Sequence, residues 1–271
     1  MTLRRGSEML LQKDFQTAAK SLADTARTVV ENVVVFQHID STQACALRLV
    51  EQAEAEEIVL PTTLVIAGEQ IAGRGRAARS WTSPPGGLYF SWVASSLESD
   101  AIARLPMIVA ASITEALLDL GIDDVRIKWP NDVLIGGKKC AGCLVHARHG
   151  ETTWAVVGIG INFANTPDVP EGHVLPPTSV ADEIGEELKA ETAHRVLRII
   201  LNELTAGVAE PEELLRRWHE LIVHRPDDAM IVRIGDGSEL QGRFVGLNDE
   251  GHLRLDCDGV ERVITTGDVV E

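Results

Sequence analysis

Apolar side chains recur every three or four residues in four stretches of the chain, which is the spacing of a helix with one buried face. In the first thirty residues these positions are Phe15, Ala18, Leu22, Ala26 and Val29. The other stretches predict helices at 106–120, 192–208 and 211–223. A proline opens the first and last of these, where a helix has no hydrogen bond to lose, and Gly121 is an expected C-terminal cap.

Short runs of β-branched and aromatic residues predict strands at 33–36, 63–67, 88–93, 125–129, 143–147 and 154–161. Helices alternate with some of them, which indicates an α+β domain. Beyond residue 226 the runs shorten to 229–234, 239–247, 252–256 and 261–264, with Asp-Gly or Glu-Gly pairs between them. We therefore expect an N-terminal helical extension (1–30), a larger domain (31–225) and a small C-terminal β-barrel (226–271).

Composition narrows the class of protein. Hydrophobic residues make up 45% and charged residues 24% of the 271 positions, which is ordinary for a globular enzyme. No uninterrupted apolar run reaches the length of a membrane span and no signal-like segment opens the chain, so we expect a cytoplasmic protein without membrane contact. The net charge of −16 disfavours nucleic acid as a partner. Cations nevertheless concentrate at 74–79 and 128–139, which indicates an anionic ligand unless these are only solvated loops.

Two of the four cysteines, Cys140 and Cys143, form a C-x-x-C pair. Such a pair is found in zinc and redox sites. A structural zinc site needs two more ligands, and no second close pair of cysteines or histidines is evident in the sequence. A thioredoxin-like site would open a helix, whereas this pair is expected in a loop entering a strand. We interpret both as small buried thiols.

The stretch from Gly68 to Trp81 alternates glycine and arginine at Gly73-Arg-Gly-Arg76. Glycine lets the main chain close over a ligand, and the guanidinium fork suits carboxylate and phosphate oxygens. The stretch lies between two predicted strands of an acidic protein, which argues against a nucleic-acid-binding tail. It predicts a loop that becomes ordered over an anion.

A second stretch contains Lys128-Trp-Pro-Asn-Asp132 and then Gly136-Gly-Lys-Lys-Cys-Ala-Gly142. A hairpin at the two glycines would bring Lys138 or Lys139 near the Asn-Asp pair. A lysine that faces a carboxylate and a phosphate reduces the repulsion between two reacting anions. The alternative is a surface hairpin with exposed lysines.

A third stretch, Gly158-Ile-Gly-Ile-Asn162, ends an apolar strand. Glycines weaken a strand, so this pair indicates a close approach by a ligand or another backbone, or else a β-bulge. The pattern is not a G-x-G-x-x-G, and no helix start follows it, so a dinucleotide-binding fold is unsupported.

In this order and spacing the stretches resemble the motifs of the biotin–protein ligase family. They are GRGRAAR at 73–79, KWPND at 128–132, KCAG at 139–142 and GIGIN at 158–162. Asp40-Ser-Thr-Gln43 is similar to the family's Ser-Thr-Asn turn, and 246–251 and 266–269 resemble its C-terminal domain. The resemblance covers the chain from about residue 33 onward. It implies a catalytic domain with a mixed sheet like that of class II aminoacyl-tRNA synthetases and a C-terminal SH3-like β-barrel.

The resemblance also implies three overlapping sets of site residues. Biotin would be bound by Ser41, Thr42, Gln43, Gln70, Gly73, Arg74, Gly75, Arg76, Lys139, Gly142, Gly158 and Gly160. ATP would be bound by Arg74, Arg76, Arg79, Trp81, Asn131, Lys139 and Asn162. Lys139, Arg76 and Asp132 would be catalytic. Asp132 would either face Mg²⁺ on the nucleotide or receive the proton from the carrier's lysine.

The implied activity is ATP-dependent formation of biotinyl-5′-AMP and transfer of biotin to a lysine of a biotin carboxyl carrier protein. The reaction needs no enzyme nucleophile, which agrees with the lack of an evident Ser/His/Asp or Cys/His set. Gln43 replaces the family's Asn and is one methylene longer, so biotin contacts there are expected to be rearranged. The N-terminal stretch is short for the DNA-binding domain of the family's repressor members, so we expect no operator binding. A weak or ligand-dependent homodimer is also expected.

Two alternatives share parts of this pattern. A lipoate- or octanoate-type acyl ligase would use the same adenylation chemistry, but its expected Arg-Arg-x-x-Gly-Gly-Gly loop is absent from the sequence. A non-catalytic biotin-binding regulator should have lost part of the charged set, yet Lys139 and the arginines at 74 and 76 are present.

Overall fold

A computed structural model describes residues 20–77, 79–148, 152–169, 175–185 and 188–270. In chain order its elements are α1 (20–26), β1 (Asn32–Ile39), α2 (Thr42–Ala55), β2 (Thr63–Gln70), β3 (Leu88–Ser95), α3 (Ser99–Leu118), β4 (Val125–Lys128), β5 (Asp132–Ile135), β6 (Lys138–Arg148), β7 (Trp154–Ile161), α4 (Val180–Ile184), α5 (Ala190–Ala209), α6 (Glu212–Leu221), β8 (Ala229–Ile234), β9 (Glu239–Leu247), β10 (Leu253–Cys257), β11 (Val260–Ile264) and β12 (Gly267–Val269). The N-terminal helical prediction is met over α1, while Phe15 and Ala18 lie outside the described residues.

Seven strands form one mixed sheet in the order β1-β2-β3-β7-β6-β5-β4. Only the β1–β2 pair is parallel, and the other neighbouring pairs in this sheet are antiparallel. Successive residues of β2 face opposite sides, because Leu64 and Ile66 pack with α3 and α5 while Val65 packs with α2. Both faces of the central strands are therefore covered, and the fold is mixed α+β.

The central helix α3 corrects one expectation. Its predicted start at Pro106 is wrong, since the helix begins at Ser99 and carries the proline in its interior. Burial of Ile102 and Leu105 in the core offsets the hydrogen bond that the proline lacks. The predicted role of Gly121 is supported by its positive φ of 85° just beyond the helix.

Within the described residues, α3 is also long and apolar enough to cross a membrane by length and composition alone. The sequence contains no uninterrupted apolar run of this length, because polar side chains occur between the apolar residues of α3. Some 67% of its apolar window is buried inside the protein, against the sheet and α5. It is the core helix of the fold.

Strands β7, β8 and β9 have the predicted bounds, and α5 and α6 differ from prediction by one or two residues at their ends. Helices α2 and α4 and strands β5 and β12 were not predicted. Strand β6 begins at Lys138, so Cys140 and Cys143 lie inside a strand and not in a loop before it. The first five residues of this strand, 138–142, were not predicted as strand because lysine, alanine and glycine have low strand propensity.

The last five strands form an antiparallel sheet in the order β11-β10-β9-β8-β12. The buried residues of this sheet belong to the same continuous hydrophobic core as those of the larger sheet. At the junction the Trp129 indole donates a 2.9 Å hydrogen bond to the Gly251 carbonyl. Gly251 has a positive φ of 76°, and a side chain there would overlap Met107 of α3. The C-terminal sheet is thus held firmly beside the end of β4.

Candidate active site

The predicted motifs meet in one cleft on the α2 face of the large sheet, with about 1060 Å³ of empty space including its opening to solvent. All but one of the predicted site residues line it, namely Ser41, Thr42, Gln43, Gln70, Arg74, Gly75, Arg76, Arg79, Trp81, Asn131, Asp132, Lys139, Gly142, Gly158, Gly160 and Asn162. Gly73 does not line it. Its carbonyl accepts a hydrogen bond from the Trp81 N–H, and a side chain at this position would overlap the Trp81 carbonyl. Gly73 therefore permits the conformation of the loop without facing the cleft.

The closed end of the cleft is formed where α2 begins. Ser41 is the N-cap of that helix, and its hydroxyl accepts from the Ala44 N–H. Thr42 and Gln43 follow in the first turn and are both 3% exposed. The Gln70 side-chain oxygen accepts from the Thr42 backbone N–H at 2.8 Å, which ties the end of β2 to this helix start.

Close steric contacts explain why two positions of β7, Gly158 and Gly160, are glycine. The close approach was predicted to come from a ligand or a backbone, but it comes from side chains. A Cβ on Gly158 would lie 2.5 Å from the Gln43 Oε1 atom, and one on Gly160 would lie 2.5 Å from the Trp81 indole nitrogen. Both positions must therefore be glycine for the closed end and the tryptophan to be seated as they are.

The glycine–arginine loop forms a tight hairpin between β2 and β3. Its main chain is closed by the Gly75 N–H, which donates to the Arg79 carbonyl at 2.8 Å. The Arg76 guanidinium donates to the Asn131 side-chain oxygen at 3.2 Å and to the Gly267 carbonyl at 3.0 Å. Arg79 forms an ion pair with Asp268 at 2.8 Å. The loop is thus attached to the C-terminal sheet at the mouth of the cleft.

Lys139 has the partner that the hairpin predicted. Its Nζ lies 2.6 Å from a carboxylate oxygen of Asp132 and 5.2 Å from the centre of the Trp81 ring. Gly136 and Gly137 make the hairpin with positive φ values of 55° and 76°. Lys138, the other lysine considered, points away and pairs with Glu183 of α4. The geometry therefore distinguishes the two lysines, which the hairpin alone left open and of which the family resemblance implied Lys139.

The two asparagines of the motifs are held from behind by carbonyl groups. The Asn131 amide donates to the Cys143 carbonyl, which leaves its oxygen for Arg76. Asn162 is 3% exposed and donates to the Thr178 carbonyl at 2.9 Å. Both side chains orient neighbouring elements as well as lining the cleft.

Some residues of the site were missed by sequence reasoning. Lys128, of the KWPND motif, is 9% exposed, and its burial lowers its pKa, as does nearby Lys139, whereas Asp132 raises it. Burial and Lys128 together lower the pKa of His224 to about 4, and this ring accepts from the Trp129 N–H. Asp268 was also not predicted to be a site residue, although it lies in the stretch 266–269 that resembles the family's C-terminal domain.

The two cysteines of the C-x-x-C pair lie in the core of the protein. Cys140 and Cys143 are buried and free, and burial raises the pKa of the Cys143 thiol to about 12. Within the part of the chain that the structure describes, no group of three or more His, Cys, Asp or Glu side chains is placed to hold a metal ion. The interpretation as small buried thiols is confirmed.

The comparisons with known proteins agree with this geometry. Residues 35–162 match the biotin/lipoate A/B protein ligase family, and residues 231–270 match the biotin protein ligase C-terminal domain. A biotin–[acetyl-CoA-carboxylase] ligase of Paracoccus denitrificans is 32% identical over 244 residues, which is 85% of this chain and 96% of that protein. The bifunctional ligase/repressor BirA of Escherichia coli is 33% identical over 250 residues, 88% of this chain and 73% of that protein.

Among solved structures, the biotin protein ligase of Aquifex aeolicus in complex with biotin and ATP has a TM-score of 0.67 and 27% identity. The alignment covers 88% of this chain and 97% of that one. The fold and cleft define a member of the biotin/lipoate ligase class. The second domain match and the Paracoccus relative narrow this further, and the chain belongs to the biotin–protein ligase family.

Proposed function

We propose that this chain activates biotin with ATP as biotinyl-5′-AMP and transfers the biotin to a lysine of a biotin carboxyl carrier protein. Membership of the family makes the chain a biotin ligase enzyme with biotin and ATP as ligands. The observation that supports the chemistry is the position of Lys139 between Asp132 and the Trp81 ring, beside Arg76 and Arg79.

In the first half-reaction a biotin carboxylate oxygen attacks the α-phosphorus of ATP, and pyrophosphate leaves. Both reactants are anions, so Lys139 and Arg76 lower the barrier by neutralising charge that builds up on the phosphate oxygens. In the second half-reaction the carrier's lysine amine attacks the carbonyl carbon of the mixed anhydride, and AMP leaves. The loop of residues 73–79 shields the anhydride from water in this scheme.

The donor set fits a magnesium ion that arrives with the nucleotide. Mg²⁺ is commonly held by one or two carboxylates together with substrate phosphates, and Asp132 is the carboxylate among the residues that line the cleft. When bound, the ion would supply further charge neutralisation on the triphosphate. The ion pair of Asp132 with Lys139 also supports Asp132 as the group that receives the proton lost by the attacking amine.

The finer fold assignments and partners belong to the same proposal. We infer a catalytic domain of the class II aminoacyl-tRNA synthetase type at 31–225 and an SH3-like barrel at 226–271, supported by the mixed sheet and the match of the last strands to the family's C-terminal domain. The half-exposed edge strand β1 is a surface on which a weak homodimer can form. The net charge of −16 supports the absence of DNA binding.

The test is pyrophosphate release from ATP with biotin, lipoate or octanoate offered in turn, followed by mass analysis of a carrier domain. We expect release with biotin alone and a gain of one biotin on one carrier lysine. Release with lipoate would keep the adenylation chemistry and overturn the substrate. No release with any of the three acids would contradict the ligase activity.

A further inference from the structure

Gln43, the residue that departs from the family motif, is held at the back of the cleft by three neighbours. Its side-chain nitrogen lies 3.0 Å from the Val156 carbonyl oxygen, 3.0 Å from His146 Nδ1 and 3.4 Å from the Leu144 carbonyl oxygen. Backbone carbonyls only accept hydrogen bonds, so the amide must present its nitrogen to them. The orientation of the amide follows from this.

That orientation determines the state of His146. The Gln43 amide has two hydrogens for these three neighbours, and the two shortest contacts assign them to the Val156 carbonyl and to His146 Nδ1, with the Leu144 carbonyl at 3.4 Å the weakest of the three. His146 then accepts at Nδ1, so its ring is neutral with the hydrogen on Nε2. Burial lowers the pKa of His146, and the Arg74 guanidinium in the loop lowers it further. Among the described residues, Arg148 on the same strand and its partners Glu51 and Glu54 on α2 are the further charged groups near this face.

The opposite end of the Gln43 amide faces the cleft. Its Oε1 lies over Gly158 and is 3.1 Å from the Ser91 hydroxyl oxygen. The Thr42 hydroxyl oxygen is 2.9 Å from the same serine, and the Thr42 hydroxyl hydrogen is used toward Gln70. Ser91 therefore has one hydrogen for two acceptors, and one acceptor at this closed end is left without a donor.

We propose that His146 is a positioning residue for the biotin head, because through the Gln43 amide it keeps an acceptor at the closed end of the cleft. This rests on the proposed function, since the cyclic urea of biotin supplies the N–H donor that the acceptor pair lacks. A dithiolane or an alkyl chain has no such donor. His146 does not line the cleft and acts only through Gln43.

Protonation of His146 would disrupt the arrangement. The ring would then donate at Nδ1, toward an amide nitrogen that also donates. Rotation of the amide is blocked, because its oxygen would then face the Val156 and Leu144 carbonyls. The contact between Gln43 and His146 would be lost and the amide would be held less firmly, so biotin would bind less tightly as the pH falls below the ordinary histidine pKa of 6.5.

Two variants of the full-length enzyme test the proposal by calorimetric titration with biotin and by steady-state kinetics. His146→Phe fills the space but cannot accept, so the Kd and KM for biotin should rise about threefold to tenfold, with kcat and the KM for ATP nearly unchanged. In His146→Asn the side-chain oxygen takes the place of Nδ1, so binding should return close to wild type. The matched control is His38→Asn, because His38 is likewise an exposed histidine on a strand of the large sheet but pairs with Glu69 and has no contact with Gln43.

The pH dependence separates positioning from a merely structural role. Because the pKa of His146 is lowered from 6.5, the wild type and the His38→Asn control should lose biotin affinity only as the pH falls below 6.5, while His146→Asn should show a flatter profile. Equal affinity of His146→Phe and wild type, or equal weakness of the Phe and Asn variants, would overturn the inference and leave the ligase activity intact. A wild type that neither binds biotin nor releases pyrophosphate would instead overturn the proposed function together with the inference.

Discussion

The two ends of the cleft differ in charge and in exposure to solvent. The closed end consists of neutral hydroxyl and amide groups, and Thr42, Gln43 and Ser91 are at most 3% exposed. The mouth consists of charged groups, among which the Arg79 side chain is 55% exposed and that of Lys139 is 26% exposed. One end is buried and neutral, whereas the other is charged and open.

Solvation explains the difference. A buried polar group without a partner costs about 1–3 kcal/mol, so the closed end must be hydrogen-bonded before any ligand arrives. The ion pairs at the mouth still reach solvent, which screens them, so they exchange partners at a lower cost than the buried groups of the closed end. The closed end is therefore suited to choosing a head group, and the mouth is suited to letting Asp132 and Asp268 give way to phosphate oxygens.

Lys139→Ala is the most severe test of the mouth. We expect kcat for pyrophosphate release to fall about 10²- to 10³-fold, because the developing charge on the phosphate loses its nearest cation. Calorimetric affinity for biotin should change much less, since the closed end is untouched. Lys138→Ala is the matched control, as this lysine is adjacent but pairs with Glu183 away from the cleft. Equal losses in the two variants would contradict the special role of Lys139.

Charged motifs made much of the mouth predictable from sequence. The alternation of glycine and arginine at 73–76 indicated an anion-binding loop, and the glycine pair at 136–137 indicated the hairpin that brings Lys139 to Asp132. These signals are local, because each lies within one turn or one hairpin. The roles of the residues in binding and catalysis stay predictions.

The residues that hold the site residues in position could not be predicted in the same way. Asp268 contacts Arg79 across 189 positions of sequence, and Gln43 contacts His146 across 103. Such contacts depend on strand order, which no local pattern contains. Helix α2 was also missed, because its buried face consists largely of small residues among glutamates and glutamines. The closed end itself was indicated by the resemblance of residues 40–43 to the family's turn and by the glycine pair at 158 and 160, whereas Ser91 in β3 was not predicted.

Gly158→Ala tests the closed end directly. The new Cβ would lie 2.5 Å from Gln43 Oε1 and must displace that side chain. We expect the Kd for biotin to rise about tenfold, as an overpacked contact of this kind costs roughly 1–3 kcal/mol, while the kcat of the enzyme saturated with biotin should stay within about threefold. Gly235→Ala is the control, because its nearest contact would be 4.0 Å away. A lowered kcat with unchanged biotin affinity would mean that the two ends are not separate in function.

Asp268→Asn has the smallest expected effect and tests whether the mouth exchanges partners. Asp268 neutralises Arg79 at 2.8 Å and lies 3.7 Å from Arg76, while Arg76 is held independently by the Gly267 carbonyl and Asn131. Asparagine keeps an acceptor but removes the charge that competes with phosphate. The KM for ATP should therefore fall about twofold to threefold at low salt, with a smaller change at high salt.

Glu261→Gln is the matched control for Asp268→Asn, since it removes one negative charge from the same sheet at the remote pair with Arg254. Its KM for ATP should equal that of the wild type. A rise in KM for Asp268→Asn, together with faster tryptic cleavage at the loop arginines, would show that Asp268 positions the loop and does not compete with the ligand. The mouth of the cleft would then have its side chains fixed before the ligand binds, as the closed end has, and the two ends would not differ in this respect.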